Sequence, residues 1–290
     1  MKMGLGWGIG GAIAMLVMIL DGKIALAGAA TGIELCIRTV IPGLFPFLVL
    51  SQWINYCLAD RPIKRRILKL PTGCEGIAVA AFLGGYPVGA RAVGQAFHRG
   101  QISKHQGEKL LSYCNQPGPA FIFGIAAAMF SESWAGWALW AIQILGAFII
   151  SKCIPIPTES NSFFLPKNST QEDPMTGAVK TMGIICGWVV LFRILLEFLE
   201  RWVLWILPNT IRVLVYGILE LSNGCCLLGR IQDEPVRFMM CAGMLSAGGL
   251  CVMMQTASVT SGLRLTWYLL GKGLQILISI ALSWLFLRIL

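Results

Sequence analysis

The chain has 290 residues, of which 56% are hydrophobic and 13% are charged, and its formal net charge is +9. A charged fraction this far below the roughly 25% of soluble domains excludes an ordinary water-soluble protein. The basic residues lie in loops between apolar runs, so membrane topology and anionic lipid headgroups explain them better than nucleic acid does. We therefore expect a multi-pass protein of the cell membrane, in contact with the lipid bilayer.

The first apolar segment covers residues 4–20 and follows a single basic residue, Lys2. A signal peptide is the competing interpretation, but no secreted soluble domain follows, so we interpret residues 1–31 as an N-terminal transmembrane segment. Residues 32–58 form a second apolar run that contains Pro42 and Pro46. Two prolines four residues apart predict a kinked span.

Residues 74–97 are apolar but are broken at 84–89, where three glycines and a proline occur within six residues. Such a stretch is unfavourable inside a helix. Basic residues lie on both sides of the segment: Arg61, Lys64, Arg65, Arg66 and Lys69 before it, and Arg99, Lys104 and Lys109 after it. Since basic loops mark the cytoplasmic face, both ends lie on that face, and we predict a re-entrant helical hairpin with its tip at 84–89.

A second broken segment covers residues 110–130, interrupted by the sequence CNQPGP at 114–119. Two prolines, a glycine and two amides predict a discontinuous helix, with a half-helix that begins at Phe121. Residues 134–151 form a further span. The polar stretch 155–175, rich in Ser, Asn and Pro, predicts a linker.

The second half repeats this order. Residues 177–199 and 265–287 are apolar spans, residues 203–230 are interrupted at 220–224, and residues 237–257 are interrupted at 246–249. The predicted units are residues 1–31, a first half at 32–152, a linker at 153–176 and a second half at 177–290. Each half then holds a span, a hairpin, a broken span and a span. Three crossings per half invert the second half relative to the first, which predicts an all-α inverted repeat with about seven crossings.

The breaks are the candidate substrate site, because non-helical backbone at membrane depth is tolerated only beside protein or a watery cavity. We expect the following residues to line it: Gly85, Tyr86, Pro87, Gly89, Arg91, Asn115, Gln116, Gly118, Glu220, Ser222, Asn223, Gly224, Gly248 and Gly249. Two residues have alternative roles. Arg91 is either a cation for a substrate carboxylate or the last basic residue of the cytoplasmic face. Glu220 is either a proton or sodium ligand or the cap of a helix N-terminus. For the glycines, the alternative is close helix packing.

No catalytic residue, cofactor or metal site is expected. The ten cysteines form no Cys-x-x-Cys pair, and most lie in apolar segments, where cysteine behaves as a small hydrophobe. The two histidines, His98 and His105, are assigned to a polar loop. A membrane-embedded enzyme lacks support, because the sequence contains no nucleophile motif and no paired carboxylates at a plausible spacing.

The broken segments also carry a resemblance. The motifs are IPGLFPF at 41–47, GYPVGA at 85–90, CNQPGPAF at 114–121, ELSNG at 220–224 and GGLCV at 248–252. In this order they resemble the YlbJ family of sporulation integral membrane proteins, which belongs to the wider group with nucleoside-recognition, or Gate, domains. The resemblance covers roughly residues 32–290. It implies a plan related to concentrative nucleoside transporters and, in spore formers, a role in moving dipicolinic acid, a small aromatic dicarboxylate.

Two departures from the family leave another cargo open: the chain is shorter than typical members, and Arg91 stands where lysine is expected. The leading hypothesis is a secondary transporter of a small organic anion. The alternative is a nucleoside-type permease, or a gated subunit that acts with a partner. The coupling ion, proton or sodium, and self-association into a homo-oligomer are left open by the sequence.

Overall fold

The structure is a computed structural model that describes residues 5–58, 75–156 and 173–289. In the first half, all regular structure in these ranges is helical. The helices are α1 (Leu5–Leu20), α2 (Gly22–Leu35), α3 (Ile41–Leu58), α4 (Glu75–Gly84), α5 (Val88–His98), α6 (Lys104–Leu110), α7 (Pro119–Phe121) and α8 (Trp134–Cys153). A π-helical turn, Cys36–Val40, joins α2 to α3, and a π turn and a 3-10 turn extend α7 to Met129.

The second half is helical as well. Its helices are α9 (Pro174–Trp202), α10 (Asn209–Leu219), α11 (Leu221–Leu227), α12 (Glu234–Ala247), α13 (Gly249–Val259) and α14 (Thr266–Ile289). Short 3-10 turns follow α9 and α11. The order of elements is the one found in the first half: a long helix, a pair of short helices, an interrupted helix and a long helix.

Five of the described helices are long and apolar enough to cross a membrane: Gly22–Ile54, Trp134–Cys153, Pro174–Trp202, Glu234–Val259 and Thr266–Ile289. Shorter apolar helices cover Gly8–Leu20, Pro119–Met129 and Asn209–Leu219. A span needs about 20 apolar residues, so these lengths confirm an all-α polytopic membrane protein.

Two pairs of short helices fold back on themselves. A Cβ atom added at Gly89 of α5 would lie 2.8 Å from the Ala81 Cβ of α4, although the two residues are eight positions apart. A Cβ atom added at Gly224 of α11 would lie closer still to the backbone of Gly217 in α10. Residues seven or eight positions apart in one straight helix are separated by more than about 10 Å, so the chain reverses at both places. We call α4–α5 the first hairpin and α10–α11 the second hairpin.

Helices in equivalent positions of the two halves pack on each other. The α2–α3 segment packs along α9, and α8 packs on α14. Gly28 and Gly32 bring α2 against the α9 backbone, where added Cβ atoms would lie 2.8 Å from the Ile194 Cα and 2.9 Å from the Val190 Cα. Two small residues four positions apart permit this close approach of helices in a bilayer.

Two boundaries differ from the sequence prediction. The first long span begins at Gly22 and continues through the predicted boundary at residue 31, because that boundary lies inside α2 and a π turn then joins α2 to α3. The half-helix predicted from Phe121 begins at Pro119, where proline is well suited to the first helical position. The basic loop at 61–69 and residues 157–172 of the predicted linker lie outside the described residues.

Candidate functional site

The tip of the first hairpin lies against the break of the helix that follows it. Gly85 has φ +72° and contacts the backbone of Gly118, so a Cβ added there would lie 2.7 Å from the Gly118 Cα. Gly89 lies directly beside the carbonyl group of Cys114. Only glycine allows backbones to approach this closely, and a positive φ also favours glycine. The glycines predicted in these two segments therefore meet at one place.

Tyr86 extends from this tip to the second half of the protein. Its hydroxyl donates a hydrogen bond to the Leu245 carbonyl oxygen over 2.7 Å, and its ring lies next to Gly248. The ring of Phe121 packs edge-on against it at 6.3 Å between centroids. Tyr86 thus joins the first hairpin, the α7 segment and the break between α12 and α13.

Lys272 of α14 enters the same region. The backbone of its neighbour Gly271 lies against Ser112, and the Lys272 Nζ donates a hydrogen bond to the Asn115 carbonyl oxygen over 2.6 Å. The Nζ lies 5.2 Å from the centre of the Tyr86 ring and 5.8 Å from that of Tyr268. These distances suit an ammonium group on aromatic faces. We call Lys272, Asn115, Tyr86 and Tyr268 the central site.

Lys272 is buried, with 4% of its surface exposed, and within the described ranges no acidic side chain lies within 4.0 Å of it. The Asn115 carbonyl is its single hydrogen-bond acceptor there. An ammonium has three N–H donors, and an unpaired charge is unfavourable away from water. The central site therefore has a buried amine with unmatched N–H donors at a place closed to solvent.

Neighbouring polar atoms are also without partners. The Asn115 Oδ1, the Gln116 Oε1 and the Tyr268 hydroxyl are buried and make no hydrogen bond within the described part of the chain. The amide nitrogens are satisfied: Asn115 donates to Thr256 Oγ1 over 2.8 Å and Gln116 to the Tyr113 carbonyl oxygen over 3.3 Å. Buried polar groups are almost always paired, so this cluster fits a place where a polar ligand or water binds.

The second hairpin turns at Glu220, which caps α11. Its carboxylate accepts hydrogen bonds from the backbone N–H groups of Ser222 and Asn223 over 3.1 and 2.7 Å, and from the Asn223 side chain over 2.7 Å. This geometry favours the capping role over the ion-ligand role. The N–H groups at the start of α11 therefore already bind the protein's own carboxylate.

Gly248 and Gly249 separate α12 from α13, with φ angles of +73° and +75°. A Cβ atom at Gly249 would lie 2.8 Å from the Gly217 carbonyl oxygen of the second hairpin, and one at Gly224 would lie 2.8 Å from the Met244 side chain. Here the glycines permit close packing, as the alternative interpretation expects. All four broken segments converge, but the second hairpin contributes packing rather than free polar groups.

Two predicted residues lie outside the central site. The Arg91 guanidinium points to α9, where it donates to the Gly177 carbonyl oxygen over 2.7 Å and to the Thr181 hydroxyl. Pro87 follows Tyr86 through a cis peptide bond and precedes α5. Neither residue takes part in the central site.

The sequence analysis missed Lys272, although a signal was present. A lysine in the first third of a 24-residue apolar span is a functional candidate, since charges are costly at membrane depth. It also missed a buried polar network beside it. The Ser246 hydroxyl lies within hydrogen-bond distance of the Gln143 Oε1, at 3.1 Å, and of the Ser279 hydroxyl, at 2.7 Å. The Gln275 Nε2 donates to the Gln143 carbonyl oxygen over 3.0 Å. Lys272, Gln275 and Ser279 share one face of α14.

Comparison with known proteins gives one relative. The chain is similar to the sporulation integral membrane protein YlbJ of Bacillus subtilis (strain 168), with 26% identity over 200 residues. The alignment covers 57% of this chain and 49% of YlbJ, so it spans about half the length of that relative. Over these 200 residues the chain is thus similar to a YlbJ-type integral membrane protein. No family model and no solved structure matches the chain.

Proposed function

We propose that this YlbJ-type membrane protein is a secondary transporter of a small organic anion, which binds at the central site. The single observation that carries the proposal is Lys272, a buried amine with no acidic partner among the residues that the structure describes, where the first hairpin, the α6–α7 break and the α12–α13 break meet. A carboxylate placed there would accept the remaining N–H groups and match the charge.

The aromatic side chains around Lys272 favour an aromatic acid as the bound anion. Tyr86 and Tyr268 place two rings beside the Lys272 Nζ, so a flat anion could bind the ammonium with its carboxylate and pack its ring on tyrosine. The Tyr268 hydroxyl, which has no partner of hydrogen-bond geometry among the described residues, is a donor for a second carboxylate oxygen. Dipicolinate, with a ring between two carboxylates, has this shape and charge, and we propose it as the cargo.

Transport requires the central site to open. Lys272, Tyr86 and Asn115 are all buried, so the arrangement is closed around the place where the anion would bind. Opening then requires movement of a hairpin against the interrupted helices, as in transporters whose broken helices surround a midplane site. The contact between Gly85 and Gly118 and the hydrogen bond from Tyr86 to Leu245 would change during that movement.

The direct test is uptake of radiolabelled dipicolinate by purified protein in liposomes, under imposed proton or sodium gradients. We expect saturable uptake above that of empty liposomes, inhibited by unlabelled dipicolinate and unaffected by uridine. Uptake of uridine instead would favour the nucleoside permease. Absence of any uptake by folded, inserted protein would contradict an autonomous anion transporter, and restoration by a second membrane protein would favour the gated subunit.

A further inference from the structure

A second cluster of cations lies away from the central site, between α9 and the second hairpin. A cavity of about 240 Å³ is lined by Arg193, Glu197 and Glu200 of α9, Arg212 of α10, Asn223 of α11 and Arg230. Drug-sized ligands usually occupy about 300–1,000 Å³, so this cavity suits a smaller molecule.

The ion pairs in this cavity leave guanidinium donors unused. Arg193 Nη2 pairs with Glu197 over 2.8 Å, and Arg212 Nη2 pairs with Glu200, which also accepts a hydrogen bond from the Tyr216 hydroxyl over 3.1 Å. The Nε and Nη1 atoms of Arg193 and the Nε atom of Arg212 are buried and have no acceptor in the described part of the chain. Arginine presents its donors as a rigid fork that matches a carboxylate.

The charge of the cavity is positive. Three arginines face two glutamates, and each glutamate already pairs with one arginine. Arg230 is exposed and makes no hydrogen bond or ion pair to any residue that the structure describes. Arg230 and the three guanidinium nitrogens of Arg193 and Arg212 that lack an acceptor among the described residues therefore remain to be matched. An anion fits these groups, whereas a cation or an apolar molecule leaves them unsatisfied.

The cavity adjoins a second cavity and the turn of the second hairpin. A neighbouring cavity of about 440 Å³ shares Glu197 and Glu200 with it and is lined by Arg201. Asn223 also lines the smaller cavity, and its side chain donates a hydrogen bond to Glu220 at the turn of the second hairpin. We propose that the cavity between Arg193, Arg212 and Arg230 is a second binding site for a small carboxylate anion, next to the second hairpin.

This site binds an anion whether or not the central site transports the same one. If both proposals hold, the second site lies toward the face opposite the cytoplasm, because α9 is expected to run outward from Pro174 to Trp202. It would then hold the anion on its way into or out of the central site and raise its local concentration there.

The test is calorimetric titration of the purified full chain in detergent, with dipicolinate and inorganic phosphate as probes. The background variant is Lys272→Met, which removes the cation of the central site. We expect one saturable site for dipicolinate to remain. The Arg193→Gln, Glu197→Gln double variant, which removes the ion pair without leaving a lone charge, should weaken that site about tenfold or more.

Arg230→Gln should weaken the remaining site as well, and since Arg230 is exposed and unpaired, its loss should not disturb folding. Arg288→Gln, at the exposed end of α14, is the matched control and should leave it unchanged. The second site is overturned if Lys272→Met binds neither probe, or if the cavity variants bind as tightly as the control. If the cavity variants lose dipicolinate binding but Lys272→Met binds as much dipicolinate as the wild type, the second site stands and the proposed central site is contradicted.

Discussion

At the scale of single residues, Glu220 and Lys272 differ in how far their hydrogen-bonding groups are satisfied. Both are ionisable groups buried in the interior, but Glu220 accepts three hydrogen bonds within its own hairpin, whereas Lys272 donates one. A satisfied carboxylate stabilises structure, and an unsatisfied amine is available to a ligand. The sequence analysis considered Glu220 because it lies next to a break, and missed Lys272 because α14 has none.

Substitution of Glu220 separates its two interpretations. We expect Glu220→Gln, whose amide oxygen can still cap α11, to retain anion uptake in liposomes. We expect Glu220→Leu to lower the free energy of unfolding by about 0.5–2 kcal/mol, the usual effect of losing a helix cap, visible as a lower thermal midpoint in detergent. Loss of uptake in a stable Glu220→Gln protein would show that the carboxylate binds a coupling ion instead.

At the scale of elements, the breaks were predictable because their causes are local. Proline lacks an N–H group, and glycine is unfavourable within helices, so runs such as 84–89 and 114–119 identify the interruptions without knowledge of the fold. The partners of each break were not predictable. That Gly85 lies on Gly118, and Tyr86 on Leu245, depends on side-chain shapes contributed by segments up to 159 residues apart.

The contact between Gly85 and Gly118 predicts that substitution of Gly85 by alanine destabilises the fold. Both Gly85 and Gly100 have positive φ, at +72° and +69°, but a Cβ atom at Gly100 meets no atom of the described residues within 4 Å. Gly100→Ala should therefore show only the backbone strain of about 1–2 kcal/mol. Gly85→Ala should be destabilised further, because its Cβ collides with the Gly118 backbone, and thermal unfolding of the two variants measures the difference. Equal midpoints would show that the hairpin tip is not held against the break.

At the scale of the whole molecule, equivalent elements occupy equivalent places. The first long helices of the two halves pack together, as do the last ones, and each hairpin touches both interrupted helices or their continuations. The sequence predicts this repeat through hydropathy and the order of breaks. It did not predict that the last helix would provide the cation, since a lysine among apolar residues has no local effect on helix formation. The opposite orientation of the halves stays a prediction.

The central claim is that Lys272 binds the anion that the protein carries. The most direct measurement compares dipicolinate uptake in liposomes by the wild type, Lys272→Met and Lys152→Met, the last being an exposed lysine at the end of α8. We predict that Lys152→Met transports within about twofold of the wild type. Lys272→Met should fall to the level of empty liposomes, because removing one partner of a buried charge pair costs about 2–5 kcal/mol. Wild-type uptake by Lys272→Met would contradict the account.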